Sequence, residues 1–216
     1  MKRQSTIKHS NRYLLLAMAI CGTACFLFFR FAYPYHLLHR EQLLLFTYTA
    51  GQLADYFNHP APLSCLGGDF LTQFFHHVPM GAAIVALTMA LSGTLTYFTC
   101  LKWTDHRIAL AIAISVFVWE SMRFCQISYP LSGTISLIGA LSLFLLADKL
   151  KGKWEFSIGS MCGIIIGYFL FGYGMFVFTL FALLSALTRK RNYAGACGMA
   201  IVTLALPPIT AGKYLV

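Results

Sequence analysis

Charge is what this chain has least of, and acids least of all. Only 11% of its 216 residues are charged, with 7 Asp and Glu against 16 Lys and Arg. Soluble domains carry about 25%, and a chain this size with so little polar surface cannot cover a soluble core. No apolar run carries a charged residue near its middle, which disfavours transport through the spans. A Walker loop, a dinucleotide fingerprint, H-E-x-x-H and G-x-S-x-G are also absent, so those enzyme classes have no support. The seven cysteines show no zinc spacing. Cys21, Cys25, Cys100, Cys162 and Cys197 lie in or at the ends of apolar runs, where Cys behaves as a small hydrophobe. Only Cys65 and Cys125 fall where an oxidising compartment would meet them, with no pattern to fix a Cys65–Cys125 disulfide. No cofactor and no metal is implied.

What the chain does have is apolar helix, at 58% hydrophobic residues arranged in runs long enough for a bilayer. The formal charge of +9 sits in short blocks between those runs, as anchors on a cytoplasmic face do. That distribution argues for a membrane surface and against nucleic acid. The first twelve residues are polar and basic, and Tyr13 to Phe29 is apolar. No small-x-small cleavage site follows, so the run reads as an uncleaved signal anchor with the N-terminus in the cytoplasm.

The expectation is an all-α, polytopic transmembrane helical bundle of about seven spans. They lie near 13–29, 81–101, 108–125, 131–147, 156–171, 175–188 and 193–211. The third is short and either tilted or re-entrant. Phe156 to Thr188 is 33 residues without a charge, about 50 Å as one helix against roughly 30 Å of hydrocarbon. A hinge at Gly172-Tyr173-Gly174 would split it. The seventh is interrupted by Pro207-Pro208. With the N-terminus inside, Lys2, Arg3, Lys8, Arg12, Lys102, Arg107, Lys149, Lys151, Lys153, Arg189, Lys190 and Arg191 fall inside; Arg30, Arg40, Arg123 and Lys213 fall outside. This obeys the positive-inside rule at every connector. The whole chain, 1–216, reads as one transmembrane domain, either a compact module or the N-terminal portion of something longer.

A loop over 30–79 is far longer than the usual connection and is the natural place for function. His36 to Phe57 has helical composition, with Glu41, Tyr48, Gln52 and Asp55 within about 60° of one another on a wheel. Its Leu and Phe content suits an interfacial helix. Gly67-Gly68-Asp69 reads as a turn with Asp69 as N-cap, and Asp69, Gln73 and His76 then share a face. Glu41, Asp55 and Asp69 are the candidate catalytic carboxylates, able to act as a base or to hold a cation that carries a phosphate. Each also has a purely structural reading: Asp69 as a cap, Asp55 preceding the Asn58-His59-Pro60 turn, Glu41 pairing with Arg40 or a headgroup. Gln73 and His76 are candidate substrate contacts. His36 and His39 with a carboxylate could ligate a metal, but their spacing is not diagnostic.

Glu120 and Arg123 stand three apart on the third span. They either pair with each other or leave Arg123 to grip a lipid phosphate. Arg30 has the same choice, with snorkelling as the alternative. Gly159, Gly163 and Gly167 form a stripe for close helix packing, against this chain or a partner protein.

Tyr33-Pro34-Tyr35-His36-Leu37, Arg40-Glu41-Gln42 with its Leu-Leu-Leu-Phe, and Gly68-Asp69-Phe70-Leu71-Thr72-Gln73-Phe74-Phe75 carry a resemblance. Through them the chain resembles an uncharacterised family of polytopic membrane proteins from Bacteroidota-type bacteria, a domain of unknown function whose members are longer. More distantly, the loop after span one is similar to that of C-type glycosyltransferases, which use polyprenyl-phosphate sugars. That likeness implies one of Glu41, Asp55 or Asp69 as the base, although no paired acids follow span one directly. The resulting expectation is a multipass bacterial inner-membrane protein of the cell envelope that is glycosyltransferase-like or binds a polyprenyl-phosphate lipid. The rival is a non-enzymatic scaffold, assembly factor or transporter subunit.

Overall fold

The computed structural model describes the backbone of residues 2–43, 49–58 and 61–214, and side chains over 12–42, 49–51, 53–58 and 61–210. It is all helix among these. Helix α1 covers Lys2–Leu27 and widens into a π-turn at Phe28–Ala32. Short helices α2 (Pro34–Leu43), α3 (Ala50–Asn58) and α4 (Pro62–Thr72) follow, then a tight 3-10 turn at Gln73–His76. The remainder is α5 (Val78–Cys100), α6 (His106–Phe124), α7 (Leu131–Ala147), α8 (Lys153–Phe171), α9 (Met175–Ser185) and α10 (Tyr193–Tyr214).

Four stretches among the described residues are long and apolar enough to cross a membrane: Arg12–Ala32, Val78–Cys100, Lys153–Lys190 and Tyr193–Thr210. This corrects the expectation of about seven spans. Helix α7 is apolar but only 17 residues long, and α6 carries Arg107, Glu120 and Arg123 towards its ends. The expected fifth and sixth spans fall within one 38-residue apolar stretch. The chain is a multipass membrane protein with fewer candidate spans than its hydrophobic runs suggest.

The chain forms two compact units, Met1–Phe46 with Gly68–Thr134 and Thr47–Gly67 with Ile135–Val216. In the first, α1, α5 and α6 pack around Val85, Met89, Tyr97 and Phe117, all buried. Bilayer lipid is as apolar as these side chains, so close fit holds the helices together. Gly81 permits one such fit, since a Cβ there would stand 3.0 Å from Phe75 Cα and 3.4 Å from Leu37 Cδ1.

In the second unit α8 and α9 run back along each other. Gly163 lies against the Phe178 ring and Gly167 against Met175, while Gly159 meets Leu150. The glycine stripe is thus occupied by side chains of its own unit. The reversal occurs at Gly172, whose φ of 68° and ψ of −140° are open to glycine but strained for other residues. The Ser136 hydroxyl donates to the Phe171 carbonyl at the end of α8. At the other end, Arg189 Nη1 reaches the buried Asp148 Oδ1 at 2.6 Å. Asn192 caps α10 by accepting the Gly195 N–H at 3.2 Å, the usual role of an N-cap amide.

Three local expectations fail for identifiable reasons. Asp69 is not an N-cap: α4 starts at Pro62, a residue suited to a first helical position, and runs through Gly67-Gly68-Asp69. The expected His36–Phe57 helix is not continuous, since Thr49 is outside any helix before α3 starts at Ala50. Tyr48 lies outside the described residues, as does the Gln52 side chain. Pro207 and Pro208 sit inside α10 without ending it. Thr210 Oγ1 back-bonds to the Leu206 and Pro207 carbonyls one turn earlier, as threonines within helices do.

Gly172→Ala adds a methyl 2.7 Å from the Ala61 Cβ at a positive φ. It should cost about 1–3 kcal/mol, read as a lower melting temperature of the detergent-purified protein.

Candidate functional site

A helix leaves its last four carbonyls without intrahelical donors; at the end of α6 the Cys125 and Gln126 N–H groups serve Ser121, Met122 and Arg123, and a side chain from α2 serves Phe124. Pro34 starts α2, and His36 and Arg40, four apart, share its buried face. Both are 4% exposed. Arg40 Nη2 donates to the Phe124 carbonyl at 3.2 Å and the Gln126 carbonyl at 2.6 Å. Its guanidinium lies 4.2 Å over the Phe124 ring, a cation–π contact. Phe29 packs edge-on against the same ring at 5.5 Å, so α1, α2 and α6 meet here.

His36 completes the contact. Its Nε2 is 2.9 Å from Arg40 Nε and 2.7 Å from the Phe124 carbonyl, and it can serve only one of them at a time: as acceptor to the arginine or as donor to the carbonyl. Burial first, and Arg40 second, push the imidazole below its ordinary value, so the ring is neutral at pH 7. Burial also lowers Arg40, to about 10, which leaves it protonated. It is a buried cation whose partners are two carbonyls, an imidazole and a ring. No carboxylate pairs with it among the described residues, and its Nη1 has no hydrogen-bond partner there.

A turn earlier on α6, Glu120 is also 4% exposed. Its Oε2 accepts from the Tyr129 hydroxyl at 2.9 Å and from Thr134 Oγ1 at 2.8 Å. The Glu120–Arg123 ion pair is not formed. Arg123 is exposed and lies 4.1 Å over the Tyr129 ring. Tyr129 is held above its usual range by burial first, with the neighbouring Glu120 adding to the effect, so its O–H remains a donor. It is within electrostatic reach of Arg40 as well.

The other candidates are more scattered. Glu41 is half-buried on α2, Asp55 exposed on α3 in the other unit, and Asp69 half-buried within α4. Gln73 is half-buried, while His76 is exposed with its ring 5.3 Å from that of His77. The shared face of Asp69, Gln73 and His76 was drawn on an α-helical wheel, but the backbone tightens to 3-10 at Gln73. No group of three or more metal-ligating side chains occurs among the described residues, and His36 is committed to Arg40 and Phe124. The residues overlooked in the sequence are Arg40, Gln126, Tyr129 and Thr134. The available signal was His36-x-x-x-Arg40, two polar residues at helical spacing in a leucine-rich stretch.

Because its folded-state value lies below 6.5, His36 stabilises the protein fully above pH 6.5. That contribution is lost as pH falls through the lower folded value, since the unfolded chain takes up the proton first. Melting temperature should therefore fall below pH 6.5 in the wild type, and His36→Gln should flatten that part of the profile.

Comparison with known proteins is spare. The chain matches no curated protein and no solved structure, so the likeness to C-type glycosyltransferases gains no support. A family model covers nearly the whole chain, over residues 8–216. The protein belongs to that family, the Family of unknown function (DUF6057).

Proposed function

We propose that this protein binds the phosphate headgroup of an anionic lipid at the α2 side of a bacterial inner membrane. In this reading the N-terminus is cytoplasmic and α2 to α4 lie outside, as the distribution of Lys and Arg favours. The observation that carries it is Arg40, a buried cation with no carboxylate among the described residues. A buried charge is costly unless paired, and a phosphate oxygen is a fitting partner for a guanidinium. Arg123, exposed and lying over the Tyr129 ring, would supply the second contact. Glu120 is held away from this role by Tyr129 and Thr134, which neutralise its demand for donors.

A polyprenyl phosphate is one lipid of this chemistry. The proposal assigns Glu41, Asp55 and Asp69 no chemical step, because a base needs a substrate proton within hydrogen-bond reach and no observation supports one. A scaffold that docks through Gly159, Gly163 and Gly167 is disfavoured by the side chains already packed on them.

Native mass spectrometry of the gently purified protein tests the proposal. The wild type should retain a phosphate lipid, and Arg123→Gln should weaken retention about five- to tenfold, the equivalent of about 1–1.4 kcal/mol. Glu41→Gln and Asp55→Asn should retain it unchanged. Equal retention of bulk phospholipid by wild type and Arg123→Gln would contradict the proposal.

A further inference from the structure

Along the membrane-crossing part of the first unit, α1 and α5 do not close completely. Leu15, Gly22 and Phe26 on α1 and Ala83, Ala86 and Ala90 on α5 line a groove of about 460 Å³. Thr23 is its one polar side chain. The groove exists because the facing residues are small: a Cβ placed on Gly22 would meet nothing within 4 Å. Elsewhere on the same pair of helices the packing is tight, with Gly93 against Met18 and the Ala113 carbonyl.

We infer that this groove holds one hydrocarbon chain of an anionic membrane lipid, whose headgroup sits at Arg30. Both walls belong to stretches long and apolar enough to cross the bilayer, which would open the groove to hydrocarbon. Its lining suits the occupant: over the roughly 16 Å from Leu15 to Phe26 the walls are apolar except at Thr23, as a hydrocarbon chain requires. Charge complementarity selects the headgroup. Arg30 follows Phe26 by about one turn, at the α2 end of the groove. It lies 5.7 Å from the Phe31 ring and forms no ion pair among the described residues. This site is separate from the one at Tyr129 and does not depend on it.

The experiment uses the full chain in detergent with one equivalent of phosphatidylglycerol bearing a photoreactive diazirine in its acyl chain, and the matching phosphatidylcholine as control. Adducts are mapped by peptide mass spectrometry. Labelling should favour Gly22 and Thr23 over the bilayer-facing Leu16 and Ile20 by fivefold or more. Gly22→Leu, whose Cβ meets nothing within 4 Å, should cut groove adducts at least fivefold with the melting temperature unchanged. Ala19→Leu, at an exposed groove position, should do the same should Gly22→Leu fold poorly. Arg30→Gln should lower labelling by the glycerol lipid and not by the choline lipid, whereas Arg123→Gln should alter neither. Even labelling of both α1 faces, unchanged by the groove variants, would overturn the inference. So would a dimer in the wild type that Gly22→Leu dissociates, since a second copy would then fill the groove. Failure of the Tyr129 site alone would appear as wild-type lipid retention in Arg123→Gln with groove labelling intact.

Discussion

The arrangement of the first unit depends on one demand: the carbonyls at the buried end of α6 must find donors. A buried backbone group left unsatisfied costs about 1–3 kcal/mol. Arg40 supplies the donors. It binds the Phe124 and Gln126 carbonyls, and its guanidinium lies on the Phe124 ring. A cation at a helix C-terminus also meets the negative end of the helix dipole. The same contact docks α2 onto the bundle, fixes the chain leaving α1, and brings Phe29 against Phe124.

That solution leaves a positive charge with no acid to balance it among the described residues, while the nearest buried acid is occupied elsewhere. Glu120 takes its donors from Tyr129 and Thr134, and Tyr129 presents its ring to Arg123. Neither Arg40 nor Arg123 is joined to Glu120 in a salt bridge among the described residues. In the proposed reading an anion meets the exposed Arg123 and no carboxylate in want of a donor, which suits a lipid phosphate better than a cation.

Much of the helical framework was legible in the sequence because apolar runs report burial in lipid or protein directly. The reversal at Gly172 was legible too, since no single helix over Phe156 to Thr188 fits a bilayer. Hydropathy misled where it was asked to count, because a short run such as α7 and a run with charged ends such as α6 resemble spans in a list of apolar segments. The wheel of Glu41, Tyr48, Gln52 and Asp55 extended one helical period over α2 and α3, which are separate helices. The Arg40 contact was least legible: its partners are backbone carbonyls more than eighty residues away, and a carbonyl carries no residue signature. Glu120 and Arg123 looked like a pair because they are three apart. Tyr129, brought back by the turn before α7, stands between their roles.

The central claim is that Arg40 and Arg123 flank a lipid phosphate beside Tyr129. The most direct measurement is a high-resolution structure of the protein in nanodiscs rich in phosphatidylglycerol. The account expects density for a phosphate group within hydrogen-bonding distance of the Arg123 guanidinium and of Arg40 Nη1. An ordered α2 and α6 end with no phosphate between the two arginines, or an acidic side chain of the chain itself in that position, would contradict it.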